Sequence, residues 1–154
     1  MKVYKPPFNI RKIDLFPSIF LAGSIENGSA DDWQTKFIEE FADIEKGIIL
    51  NPRRDEWDSS WEQSKNNPNF KGQVEWELYG LENSTLIVMY FDPNTKSQIS
   101  LLELGLHMRS RKVIVCCPDG YIKKGNVDVT CGFYRIPVYK TFEQLIDAVK
   151  LIVT

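Results

Sequence analysis

The sequence predicts an α/β fold in which a five-stranded, mostly parallel sheet is covered by helices on both faces. Three observations predict it. Short apolar runs alternate with amphipathic stretches from residue 17 onward, the pattern of repeated β-α-β units. The central run, Thr85-Leu-Ile-Val-Met-Tyr-Phe91, is nearly continuous in apolar residues, as a strand buried on both faces has to be. The chain has 154 residues, 43% hydrophobic and 26% charged, which suits one domain (1–154) around one core.

Taken in order, residues 1–16, with Pro6-Pro7, read as an extended arm over the surface. Ser18-Ile-Phe-Leu-Ala22 is the first strand of the pattern and ends in Gly23-Ser24. Ser29-Ala-Asp-Asp-Trp33 to Phe41 reads as a capped helix with Trp33, Phe37, Ile38 and Phe41 on one side. Ile48-Ile-Leu50 is a short strand closed by Asn51-Pro52. A polar loop of about fifteen residues follows, Arg53 to Pro68, carrying Trp57 and Trp61; loops of that length in compact domains are usually functional or mobile. A helix from Phe70 to Glu82 sets Val74, Leu78 and Leu81 on its apolar side. After the central strand comes the turn Asp92-Pro-Asn-Thr95, and then a helix capped by Ser97 or Ser100, with Leu101, Leu102, Leu104 and Met108 as its apolar positions. Lys112-Val-Ile-Val-Cys-Cys117 is the fourth strand, Pro118 to Tyr134 reads as irregular, and Ile136-Pro-Val-Tyr139 is a short edge strand because of its proline. Thr141 and Gln144 fit a capping box that opens the last helix, which ends near Val153.

Right-handed crossovers put the ends of the first three strands on one rim, which gathers Gly23-Ser24, Asn51–Arg53 and Asp92–Ser97. The expected architecture is a single-domain, flavodoxin-like or Rossmann-like three-layer sandwich, whose ligands bind in the crevice beyond the strands' carboxyl ends.

Composition removes several function classes. A net charge of −2 gives no global basic field for a nucleic-acid polymer, although a free nucleotide needs only a few local donors. No apolar run nears the roughly 20 residues of a membrane span, and Met1-Lys-Val-Tyr-Lys-Pro-Pro lacks the apolar core of a signal peptide. The expected location is the cytoplasm. Three cysteines, two of them adjacent at 116 and 117, do not make a disulfide framework. With a single histidine and no CxxC pair, neither a metal nor a cofactor is expected.

Glu103 is the most informative residue. Placed in the first turn of the helix after the central strand, it is either a nucleophile at the crevice or a carboxylate partner of the helix dipole. His107 stands four residues later on the same face and reads as an ordinary helix histidine before a catalytic one.

Leu21-Ala-Gly-Ser-Ile25, Asn51-Pro-Arg-Arg54, Gln73-Val-Glu-Trp-Glu-Leu78, Ser100-Leu-Leu-Glu-Leu-Gly105 and Lys124-Gly-Asn-Val-Asp128 occur in this order. Together they resemble the nucleoside 2-deoxyribosyltransferase superfamily, which includes deoxynucleoside 5′-monophosphate N-glycosidases, and within it the nucleoside 2-deoxyribosyltransferase-like group. The resemblance runs from Ser18 to Val138. It implies an enzyme of the N-glycosidic bond, working through a covalent 2-deoxyribosyl-Glu intermediate at Glu103, by transfer or by hydrolysis. It also implies an acid on the preceding helix that protonates the leaving base. Glu77 matches that position, where many relatives have Asp, and Glu75 competes with it.

The resemblance further implies a discriminating position six residues before the nucleophile. Transferases of free nucleosides tend to carry Asp there and nucleotide hydrolases Ser; this chain has Ser97. With Ser100, Gly23, Ser24 and Asn51, Ser97 forms the expected substrate rim. Arg53 and Arg54 are either phosphate forks or a solvated loop pair. Trp57, Trp61 and Trp76 either sandwich a planar base or anchor the core. The resemblance implies a homo-oligomer in which Asn126 reaches a neighbour's site, and a nucleoside or nucleotide as the small-molecule partner. A different class of function stays open beside the enzyme: a non-catalytic nucleotide-binding or sensing module of the same fold.

Overall fold

A computed structural model describes residues 1–154, apart from the side chain of Asn27. The sheet has six strands: β1 (Lys2–Tyr4), β2 (Ser18–Gly23), β3 (Ile48–Leu50), β4 (Leu86–Tyr90), β5 (Val113–Cys116) and β6 (Val138–Tyr139). Their order is β1-β3-β2-β4-β5-β6, and every pairing is parallel. The helices are α1 (Trp33–Glu40), α2 (Pro68–Asn83), α3 (Gln98–His107), α4 (Lys124–Phe133) and α5 (Phe142–Val153).

Period-two alternation along the strands divides the core in two. Phe20, Ala22, Ile87, Met89, Val113 and Val115 face α2, α3 and α4, where they meet Trp76, Leu81, Leu104, Val127 and Cys131. Ile19, Leu21, Val88, Ile114 and Cys116 face α1 and α5, where they meet Trp33, Phe37, Leu145, Ile146 and Val149. The three-layer α/β architecture expected from the alternating pattern is present. β6 is an edge strand behind Pro137, and the Thr141–Gln144 capping box opens α5.

Four expectations need correction. The sheet has six strands, because the supposed arm contains β1, which pairs with β3 through Lys2↔Ile48 and Tyr4↔Leu50. A three-residue edge strand that buries little leaves no apolar run to detect. The stretch from Pro118 to Tyr134 contains α4. Gly125, Gly132 and three β-branched residues weaken its helix propensity, and burial of Val127 and Cys131, one turn apart, overrides that weakness. The N-cap of α1 is Asp32, whose carboxylate accepts the Thr35 N–H, so the helix starts later than Ser29. Finally, α2 buries Gln73, Trp76, Gly80 and Leu81, while Val74 and Leu78 turn to a cavity. Gly80 permits this rotation: a Cβ there would lie 2.7 Å from the Phe20 ring.

Leaving β1 aside, the sheet is a doubly wound 2-1-3-4-5 arrangement. Its connections diverge between β2 and β4, and a crevice opens there at the carboxyl ends. Among the described residues no helix is long and apolar enough to cross a membrane.

Candidate active site

A cavity of 840 Å³ occupies this crevice. Gly23, at the end of β2, forms part of its wall with φ +134°, and a Cβ there would meet the Tyr90 carbonyl oxygen at 2.3 Å. Only glycine brings β2 this close to β4 while turning the chain into the rim. Around the wall stand Arg53, Arg54 and Trp57 after β3, Gln73, Val74 and Glu77 from α2, and Ser97, Ser100, Leu102 and Glu103 from α3.

Two carboxylates face this space from different helices. Glu103 is buried, with 8% exposure, and is the sixth residue of α3; it therefore lies in the second turn, deeper than the first-turn position expected for it. Withdrawal from water raises its pKa well above the usual carboxylate value, and the nearby Glu77 charge raises it further. Burial likewise pushes Glu77 up to about 7, opposed by a hydrogen bond from Gln73. The Gln73 amide nitrogen donates to Glu77 Oε1 and to the Pro52 carbonyl, each at 2.9 Å. The pair interacts strongly enough that its protons belong to both groups. Two carboxyls that face one partly closed cavity, both raised by burial, are able to share a proton.

The start of α3 differs from a plain cap. Ser97 has left-handed backbone angles (φ 47°, ψ 46°) and its side chain caps nothing. Its hydroxyl bonds instead to the Ser24 and Thr95 hydroxyls, the latter at 2.6 Å. Ser100 lies inside the helix rather than at its cap. Ser24 is fully buried behind the rim: its Oγ accepts the Asp92 N–H at 2.8 Å, and its carbonyl accepts from the Trp33 indole at 3.1 Å. Ser24 thus ties β2, the β4 turn and α1 together. The Ser97 N–H is taken by Glu26 Oε1 at 2.7 Å.

On the β3 side, the Arg53 guanidinium donates to the carbonyls of Gly28 (2.9 Å), Ala30 (2.7 Å) and Asp31 (3.2 Å), and to Gln34 Oε1 (3.3 Å). It clamps the loop after β2 and is not a free phosphate fork. Arg54 stacks its guanidinium 4.9 Å from the Trp61 ring, and Trp57 meets Trp61 edge-on at 5.1 Å. Arg54 Nε and Trp57 Nε1 are buried without hydrogen-bond partners, a donor pair on the cavity wall that a bound acceptor would satisfy. Asn51 is buried behind them, its Oδ1 accepting the Arg53 N–H at 3.0 Å.

Several expected participants lie elsewhere. Trp76 belongs to the core, its indole donating to the Phe8 carbonyl at 2.8 Å. Glu75 is exposed and paired with Lys71 at 3.6 Å. His107 is buried beside a separate surface groove, where desolvation and Lys112 lower its pKa. Asn126 is exposed on α4; the site expected for it is a neighbour's and not this cavity. Gln73 and Glu26 were not singled out from the sequence. Gln73 carried a signal, its i,i+4 spacing to Glu77; Glu26, acting across to α3, carried none.

Comparison with solved structures finds a conserved protein from Enterococcus faecalis V583, at a TM-score of 0.60 and 17% identity, with 88% of this chain and 98% of that one covered. This likeness speaks for the fold alone. No curated protein matches the chain. A family model described as nucleoside 2-deoxyribosyltransferase-like matches residues 16–121, the span that contains β2 through β5 and both cavity carboxylates. The chain belongs to the nucleoside 2-deoxyribosyltransferase-like family.

Proposed function

We propose that the protein cleaves the N-glycosidic bond of a 2-deoxynucleoside or its 5′-monophosphate, with Glu103 as nucleophile and Glu77 as proton donor. The observation that carries this reading is that two carboxylates from different helices face one cavity at the switch point of the sheet. A Glu103 oxygen bonds to C1′ as the C1′–N bond breaks, and the base leaves with the bonding electrons and a proton from Glu77. Water or a second base then attacks C1′, the Glu103–C1′ bond breaks, and the incoming group's proton passes to Glu77. The hydrogen bond from Gln73 favours the ionised form of Glu77 and so pushes the shared proton toward Glu103. Positive charge developing on the sugar beside Glu103 reverses that push.

A binding or sensing module would have no use for two carboxyls withdrawn from water, each at a cost to stability. The free, buried thiols of Cys116, Cys117 and Cys131 suit a reducing compartment such as the cytoplasm. Homo-oligomeric assembly is part of the proposal, supported by exposed Val129 and Phe133 on α4, outside the cavity.

The test is incubation with deoxynucleosides and their 5′-monophosphates, with and without a second base, following free base by chromatography. Wild type releases base, and Glu103→Gln and Glu103→Ala do not, although both stay folded. A 2-fluoro-2-deoxyribosyl substrate leaves a covalent adduct on Glu103, visible by mass spectrometry. Retention of most activity by Glu103→Gln removes Glu103 as the nucleophile.

A further inference from the structure

We propose that Arg54, Trp57 and Gln73 read the leaving base, and that their polar atoms select a pyrimidine over a purine. This rests on the glycosidic reading above, which puts the base beside Glu77, and narrows it to one class of base.

Three buried polar atoms of residues on the cavity wall have no hydrogen-bond partner among the described residues: Arg54 Nε, Trp57 Nε1 and Gln73 Oε1. Buried polar groups are nearly always paired, so three orphans around one cavity point to a ligand that supplies their partners. A fourth, Asn51 Nδ2, belongs to a residue that does not line the cavity. Gln73 is 6% exposed and cannot resolve its orphan by turning its amide over. The amide nitrogen donates to the Pro52 carbonyl at 2.9 Å, and a reversed amide would set two carbonyl oxygens against each other there. The same nitrogen reaches Glu77 Oε1 at 2.9 Å. The free oxygen of that amide therefore stands next to the proposed acid, where a base receiving the Glu77 proton has to lie. Trp61 braces the two donors from the other side, with Arg54 stacked 4.9 Å from its ring and Trp57 edge-on at 5.1 Å.

The wall offers two donors and one acceptor. On the Watson–Crick edge, cytosine and thymine each carry two acceptors and one N–H donor, and so supply a partner for all three atoms. Guanine carries one acceptor and two donors on that edge, and two acceptors with no donor on its N7 edge; adenine carries one of each on either edge. A purine therefore leaves at least one wall atom buried and unpaired, whichever edge it presents. A site built to hydrogen-bond its substrate rejects an analogue that lacks the partner, because the group left alone keeps its desolvation cost. The Arg54 charge acts in the same direction. Negative charge gathers on the base as the C1′–N bond breaks, and donors facing the pyrimidine's acceptors share it.

The experiment measures kcat/KM for 2′-deoxycytidine, thymidine, 2′-deoxyadenosine and 2′-deoxyguanosine, each with a free 5′-hydroxyl and as the 5′-monophosphate, in wild type, Trp57→Phe and Gln73→Met. Within either 5′ form the wild type should favour the pyrimidines at least about tenfold, the scale of one buried polar group left unpaired. Trp57→Phe keeps a ring and deletes the N–H, and Gln73→Met keeps the length and deletes the acceptor; each should lower the preference by roughly tenfold. Loss of the Gln73 bond to Glu77 acts on both classes of base and cancels in the ratio. Calorimetry with the same compounds on Glu103→Gln reads the preference without turnover. Equal or purine-favouring ratios in wild type, or a ratio unmoved in both variants, overturn the role and leave the three atoms to bound water. If no compound loses its base in wild type, the glycosidic reading falls, and the calorimetric ratio still decides base selection. Absence of binding by every compound overturns it as well.

Discussion

Gln73 links the proposed acid to the frame of the protein, because one amide nitrogen serves both Pro52 and Glu77. Since Glu77 Oε1 accepts that N–H, a proton on Glu77 has to sit on Oε2, which gives the acid a direction. The bond also favours the ionised carboxylate and so opposes the upward push of burial. Gln73→Leu should therefore raise the Glu77 pKa and move the alkaline limb of the rate profile up by about one pH unit, the scale of one hydrogen bond to a charged group. A pH–rate profile with an unmoved limb would leave Gln73 as packing alone. The site was only partly legible in the sequence at this scale. Glu103 stood out by its place on the helix after the central apolar strand, and Glu77 entered only through the family resemblance, with Glu75 as its competitor. The partners that tune them did neither. Glu26 reaches Ser97 across 71 residues of chain, and no local pattern encodes which loop lies beside which helix.

Among the elements, those with strong periodicity were readable and those held by tertiary contacts were not. β4 and β5 follow from their apolar runs and α5 from its cap and stripe, whereas α4 and β1 exist because neighbours bury them. The cavity mouth on α3 and the outer side of α4 show the reverse case, exposed apolar residues. Ile99, Leu102 and Leu106 on α3, and Val129 and Phe133 on α4, are each more than half exposed. The ends of these helices are joined where Arg109 lies 5.7 Å from the Tyr134 ring. A monomer seldom exposes apolar patches beyond a few hundred Å², and a second copy of the chain is the occupant that the proposed assembly supplies. Light scattering should find a dimer or larger species for wild type, and Val129→Lys, placed away from the cavity, should shift it to monomer. A wild type that is already monomeric at working concentration ends the idea.

For the whole molecule, the carboxylate pair sets a conflict between chemistry and stability. An acid whose folded pKa is raised binds more protons in the folded chain than in the unfolded one, so its stabilising contribution is complete in acid and is lost as pH rises. For Glu77 the window runs from the ordinary carboxylate value up to about 7, and Glu103, raised by burial and by Glu77, contributes in the same direction. Other groups act oppositely, His107 and Asp32 among them. His107, desolvated and facing Lys112, has a lowered pKa and loses stability as pH falls. Asp32, partly desolvated yet held below its usual value by Thr35 and Arg53, does so at lower pH. Both are retained in Glu103→Gln, so comparison with wild type cancels them. At pH 5 the pair is largely protonated, and the neutral amide should change the melting temperature little. At pH 8 the wild type has to hold charge in the cavity while the variant holds less, and the variant should be the more stable by an amount on the order of 1–3 kcal/mol, several degrees for a chain of this size. A gap that grows from pH 5 to pH 8 would mark the pair as a functional charge that the fold tolerates at a cost. A gap independent of pH would mean that Glu103 does not titrate in this range and that the cavity lacks the shared proton its chemistry requires.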